Sequence, residues 1–331
     1  MTNASTAAIL GCAGPRLLPA ERAFFRAADP FGFILFARNV QDPDQLRRLT
    51  AELRSAVGRA APILIDQEGG RVQRLRAPHW RDWDPPLDTV DRAASPEAAA
   101  RILRLRARVI AAELAAVGID ANCAPVADIA GPQTHPFLMN RCHGRDPAGV
   151  TRIARAVADG LLEGGVLPVL KHLPGHGRSR LDTHLALPVV TADAATLRDT
   201  DFAPFRALAD LPMAMTAHLV FAALDPDRPA TQSPRMIRLI REEIGFRGLL
   251  LTDDLNMGAL SGSLAERVAR ALAAGVDIAL HCSGDLAEMQ AVVAAAGPLS
   301  EAARARGRAA LALRARVTAD IPALLAELAD G

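Results

Sequence analysis

The densest chemistry in the chain lies in Lys171-His172-Leu173-Pro174-Gly175-His176-Gly177, followed by Arg178-Ser179-Arg180-Leu181 and Asp182-Thr183-His184. This stretch holds the only lysine of a chain whose Lys+Arg total is 38, and three of its eight histidines. An ammonium is a compact point charge that a guanidinium does not replace at a crowded site. The lone lysine, directly after the apolar residues 166–170, therefore marks a candidate binding position. Asp182 stands two residues from His184, close enough for a carboxylate to fix an imidazole's tautomer and orientation. In isolation such a pair reads as an Asx-turn beside a solvated histidine; its place on a Gly/Arg-rich loop beside Lys171-His172 favours the catalytic reading.

A second concentration is Thr252-Asp253-Asp254-Leu255-Asn256-Met257, after the apolar Leu249 to Leu251. Successive strand residues face opposite ways, so only one of Asp253 and Asp254 can face a site, and the other is expected to cap the next turn. No serine or cysteine occupies a nucleophile elbow, since Leu260-Ser261-Gly262-Ser263-Leu264 is not G-x-S-x-G. His172 and His176 have the spacing of a helical zinc pair, but Pro174, Gly175 and Gly177 forbid that helix. Metal-dependent barrel hydrolases announce themselves with H-x-H after the first strand, where this chain reads Gly11-Cys12-Ala13-Gly14. No metal and no cofactor are expected. A carboxylate facing an acid/base group, ringed by arginines and a lysine, suits displacement at a sugar anomeric carbon; it equally suits an anionic small molecule.

The elements that must position these groups follow from hydrophobic periodicity. Apolar runs at residues 7–12, 32–36, 62–65, 120–126, 166–170, 213–216, 249–252 and 277–280 alternate with amphipathic segments. Helices are expected at 20–28, 43–57, 95–117, 149–162, 233–244, 264–274 and 285–296, with an Ala/Arg-rich one from 300 to about 319. Eight strand–helix units in 331 residues predict an α/β chain folded as one (β/α)8 TIM-type barrel, a single domain over residues 1–331. Gly11-Cys12-Ala13-Gly14 lacks the spaced glycines of a dinucleotide fold. Barrel chemistry sits at the C-terminal strand ends, so Arg38-Asn39, Asp66, Asp128, Lys171-His172, His218, Asp253-Asp254 and His281 are expected to share one rim.

A net charge of +1 with acids and bases interspersed carries no basic stripe for a phosphate backbone, so nucleic acid is not an expected partner. Four cysteines without C-x-x-C spacing suit buried thiols in a reducing compartment. Ile9-Leu10-Gly11-Cys12 superficially resembles a lipoprotein cleavage box, but no Lys or Arg precedes its short apolar run. The segment reads as a first strand and the protein as cytoplasmic. Nothing approaches the length of a membrane-spanning helix, and no membrane partner is expected.

Taken together, the K-H-x-P-G-H-G block with D-x-H, Ile65-Asp66-Gln67-Glu68-Gly69-Gly70-Arg71-Val72-Gln73-Arg74 and Thr252 to Met257 resemble the family 3 glycoside hydrolases of the NagZ type, β-N-acetylglucosaminidases of peptidoglycan recycling. Asn122 to Asp128, Met215 to His218 and Ala274 to Asp277 look like the same family's strand-end segments, so the likeness runs from about Gly32 to Cys282. The resemblance implies Asp253 as nucleophile, His184 as general acid/base and Asp182 as the residue orienting it. It also implies that Asp66, Arg74, Arg141, Lys171 and His172 contact an N-acetylglucosamine. The segment Asn140-Arg141-Cys142-His143-Gly144-Arg145-Asp146-Pro147 departs from the family's N-R-S-F-G-x-D-P. Many family 3 β-glucosidases draw the acid/base from a second domain; here eight units nearly exhaust the chain, so the barrel's own His184 loop is expected to supply it. The implied reaction is retaining removal of terminal GlcNAc from GlcNAc-1,6-anhydroMurNAc-peptides, a sugar substrate being the one expected partner. The alternatives are a phosphorylase or a chitooligosaccharide β-hexosaminidase on the same scaffold, a metal-dependent hydrolase, and an amino-sugar sensor. The sensor would not need Asp253 or His184.

Overall fold

The structure, a computed structural model, describes residues 5–181, 183 and 186–329. Eight strands, β1 (Thr6–Leu10), β2 (Pro30–Leu35), β3 (Ile63–Ile65), β4 (Ala121–Asn122), β5 (Leu167–Leu173), β6 (Met213–Thr216), β7 (Leu249–Asp254) and β8 (Ile278–His281), pair in parallel with their sequence neighbours. Pairing of β1 with β8, Ile9 opposite Leu280, closes the barrel. The chain is the expected (β/α)8 barrel.

Residue alternation along the strands separates two cores. Ile9, Leu64, Val169, Met213, Met215, Leu251 and Leu280 fill the barrel interior, while Leu10, Leu35 and Ile65 on one side and Leu170 and Leu250 on the other pack outward against helices. The main helices are α1 (Pro19–Ala28), α2 (Pro43–Val57), α3 (Pro96–Ala116), α4 (Pro147–Glu163), α5 (Pro234–Glu242), α6 (Leu264–Ala274), α7 (Leu286–Ala296), α8 (Glu301–Leu311) and α9 (Ile321–Ala329). Several begin alike: Asp42, Ser95, Asp146 and Ser233 each accept a backbone N–H through the side chain, and a proline follows at once. The cap satisfies one orphan donor, and the proline's missing N–H costs nothing there.

Three details depart from the sequence pattern. The Ala/Arg-rich segment expected to be helical from 300 to about 319 stops at Leu311. There Arg314 reaches Asp120 at 2.6 Å and the Ala60 carbonyl at 3.1 Å, so long-range contacts override helix propensity. The fourth apolar run yields a strand of only Ala121–Asn122, and Pro125 further along has no N–H to give a ladder. Conversely, β5 and β7 run past their apolar runs, so Lys171, His172, Asp253 and Asp254 lie within strands.

Candidate active site

The interior rows of β5 and β7 end in charge. Lys171 continues the row of Leu167 and Val169, and Asp253 continues that of Leu249 and Leu251. Both line one cavity at the C-terminal mouth, together with Asp66, Arg74, Arg141, His172, His176, Thr183 and Asp254. The register of β7 against β8 shifts between Leu251 and Asp254, so both aspartates reach the cavity instead of only one, and they differ in their hydrogen bonds. Asp253 accepts the Asp254 N–H at 2.8 Å, whereas the Asp254 carboxylate accepts the Asn256 and Cys282 N–H groups at 3.1 and 3.2 Å and closes the turn.

On the β3–β5 side the charges form an alternating chain. Arg74 donates to Asp66 at 2.9 Å, Lys171 donates to Asp66 at 3.0 Å and to Glu68 at 2.6 Å, and Arg141 grips Glu68 through two bonds of 2.9 Å. Burial by itself would raise the Asp66 and Glu68 carboxyls, but Lys171 and Arg74 outweigh it at Asp66 and hold that group well below the usual range. Arg141 and Lys171 do the same at Glu68, which falls to about 2. Burial would likewise lower Lys171, yet Asp66 and Glu68 raise it above the ordinary lysine value. All three groups are therefore charged at neutral pH. The guanidinium of Arg74 lies 5.2 Å from the Phe36 ring centroid, and that of Arg141 5.1 Å from Phe137, which restrains both cations by cation–π attraction.

Asp128, fully buried, organises the imidazoles. It takes His172 Nδ1 at 2.7 Å and the His176 backbone N–H at 2.7 Å. With Nδ1 committed, His172 has Nε2 left for a ligand. Burial and the adjacent His172 lower His176 to about 4, which keeps it neutral. At Asp253, burial raises the carboxyl, while His172, His218, the Asp254 N–H at 2.8 Å and Lys171 bring it below its ordinary value. The chain can turn so tightly after β5 because of its glycines: Gly175 has φ +141°, and a Cβ on Gly177 would stand 2.0 Å from the Ile129 carbonyl.

Asp66, Arg74, Arg141, Lys171, His172 and Asp253, all singled out from the sequence, meet in this cavity. Asp182 and His184 lie outside the described residues, although Thr183 between them lines the cavity and its carbonyl accepts the Ala259 N–H at 3.1 Å. The expected rim is only partly common ground. Arg38 and Asn39 instead tie the Cys12 carbonyl at 3.1 and 3.0 Å, Arg38 also bonding the Cys282 carbonyl, so they lock loops together. His281 bonds Ser283 at 2.9 Å, away from the cavity. Glu68 is not among the residues expected at the site; it stands in the short strand Gln67–Gly69, just ahead of Gly70, and only its partners reveal it. Among the described residues no three His, Cys, Asp or Glu side chains gather as metal ligands.

A parallel barrel with a carboxylate-and-cation cavity at its C-terminal mouth has a clear counterpart among known proteins. Residues 27–309 match the family described as glycosyl hydrolase family 3 N terminal domain. The chain belongs to that family. It is 37% identical over 319 residues to a β-hexosaminidase of Methylococcus capsulatus, covering 95% of this chain and 93% of the relative. A β-hexosaminidase of Nitrosomonas eutropha is 36% identical over 283 residues, 83% of this chain and 80% of its own length. Among solved structures, NagZ from Neisseria gonorrhoeae in complex with N-trifluoroacetyl-D-glucosamine superposes with a TM-score of 0.87 at 30% identity, covering 99% of this chain and 98% of that one. The family 3 chain is a glycoside hydrolase of the β-N-acetylhexosaminidase type.

Proposed function

We propose that the protein is a retaining exo-β-N-acetylglucosaminidase that removes terminal GlcNAc from GlcNAc-1,6-anhydroMurNAc-peptides in cytoplasmic cell-wall recycling. Asp253 attacks the anomeric carbon while imidazolium His184, oriented by Asp182, protonates the leaving oxygen. Neutral His184 then activates water against the glycosyl-enzyme, giving net retention. A histidine suits both roles because its reference pKa of about 6.5 lets it exchange protons near neutrality. Asp66, Arg74, Arg141, Lys171 and His172 hold the sugar. No cofactor takes part in these steps.

The observation that carries this reading is Asp253 itself: ionised, at the C-terminal end of β7, and lining the same cavity as the Lys171–Asp66 pair. The ligand in the Neisseria gonorrhoeae neighbour, an amino-sugar derivative, supports the sugar class. The test is incubation with GlcNAc-anhydroMurNAc-peptide and with an aryl β-GlcNAc, following the first-formed anomer by NMR. The β-anomer from both is expected. An α-anomer would overturn retention, sugar phosphate formed only in phosphate buffer would make the enzyme a phosphorylase, and turnover of chitooligosaccharide but not muropeptide would replace the aglycone.

A further inference from the structure

The least expected group in the site is Glu68, which is 7% exposed. It lines a separate small internal void with Gln67, Arg106, Asn122 and His143 and stands apart from the cavity lining. Its carboxylate nevertheless joins two cations of that lining. Oε1 accepts from Lys171 Nζ at 2.6 Å and Arg141 Nη2 at 2.9 Å, and Oε2 accepts from Arg141 Nε at 2.9 Å. Lys171 comes from β5, and Arg141 from the segment following the short helix Pro136–Met139. Among the described residues, Glu68 is the one ion-pair partner these two cations share.

We propose that Glu68 is the positioning residue of the sugar site: one carboxylate sets the Lys171 ammonium against the Arg141 guanidinium so that both meet a single sugar ring. The inference rests on reading the cavity as the sugar site. Two like charges brought together without an anion repel each other, and long side chains drift apart in consequence. The anion between them removes that repulsion and supplies a fixed bidentate geometry for the guanidinium. Glu68 is itself anchored: its carbonyl accepts from Arg106 at 2.6 Å, and its strand Gln67–Gly69 pairs with Val72–Gln73. Two of the three Lys171 donors go to Asp66 and Glu68, leaving one for a ligand. Preorganisation of this kind strengthens binding by removing the cost of arranging the side chains when substrate arrives.

Glu68→Gln puts an amide N–H₂ where two donors already converge, and Glu68→Asp keeps the charge but withdraws it by one methylene. Steady-state kinetics on an aryl β-GlcNAc and calorimetric binding of N-acetylglucosamine give the readout. Glu68→Gln should raise KM and the sugar Kd about tenfold or more while kcat changes less, the size expected when a charged hydrogen-bond pair is lost. Glu68→Asp should show a smaller rise in the same sense. In an Arg141→Ala background, Glu68→Gln should add only about twofold, because one of the two cations is gone and with it the mutual repulsion that Glu68 offsets. Should Glu68→Gln fail to fold, Glu68→Asp alone decides. Folded Glu68 variants with unchanged KM and Kd, or effects of Glu68 and Arg141 that multiply in full, overturn the proposal. Arg141→Ala with unchanged sugar affinity would instead sink the sugar-site reading itself.

Discussion

At the N-terminal end of the barrel Asp277 accepts from Arg241 and Arg306 at 2.7 Å each and from the Leu250 N–H at 3.0 Å. At the C-terminal end Asp66 and Glu68 likewise each hold two cations, yet with a different outcome. Arg241 directs further N–H groups to the Phe246 and Gly248 carbonyls at 3.1 and 2.8 Å, so its donors end on the protein. Arg306 belongs to α8 and staples that helix to the barrel floor. Lys171 and Arg141 face a cavity instead and have donors to spare for a ligand. The same two-cation carboxylate thus holds chain segments together at one end and, at the other, sets cations that line a cavity, the surface proposed above to bind the sugar. What distinguishes them is where the remaining N–H groups point, in keeping with function at the C-terminal face of such barrels and stability at the opposite one.

The sharpest break of this contrast is at the upper end. Asp253→Ala should lower kcat on the order of 10⁴-fold or more with an unchanged thermal melt, as loss of a covalent nucleophile does. Activity close to wild type would move the nucleophile to Asp254, which lines the same cavity. At the lower end the pattern should invert. Asp277→Ala leaves Arg241 and Arg306 without their carboxylate and should destabilise the fold by about 2–4 kcal/mol in urea unfolding, while kcat/KM at saturating stability stays within about twofold. A large kinetic effect with a normal melt would erase the division between the two ends.

The smallest effect concerns pH. Burial lowers His143 to about 4, and burial with the neighbouring His172 lowers His176 to about 4, both from 6.5. Each is neutral in the folded state, so below pH 6.5 the unfolded chain binds protons that the folded chain refuses. Stability from these groups is therefore fully present above pH 6.5 and falls as pH drops towards 4. His143→Phe should recover about 1–2 kcal/mol of the stability lost between pH 7.5 and 5, measured by urea unfolding at both pH values. An unaltered difference between the two would show that His143 does not contribute. Glu68, depressed from 4.5 to about 2, acts lower on the scale, its share present above pH 4.5 and lost as pH falls towards 2.

Much of this was legible from residue order. Apolar runs of strand length recur eight times because each strand must bury one face in the barrel and the other under helices. The Lys171 block stood out because a single lysine among arginines is chemically distinct. Other features were not legible. Arg38, Asn39 and His281 end apolar runs as Asp66 does, but their side chains settle on loop carbonyls and on Ser283. Helix propensity over residues 300–319 pointed one way and the Arg314–Asp120 contact decided the other.

The sequence by itself determined the chemical inventory and the eightfold alternation that places strand ends on one rim, since both depend on residue type and local spacing. Tertiary structure alone decided which charges meet. Lys171 and Asp66 are 105 residues apart, Arg141 and Glu68 are 73 apart, and Asp254 differs from Asp253 by its bond to the Cys282 N–H, 28 residues away. Such pairings are set by how closed strands stagger against one another, and no local stretch of chain encodes that stagger.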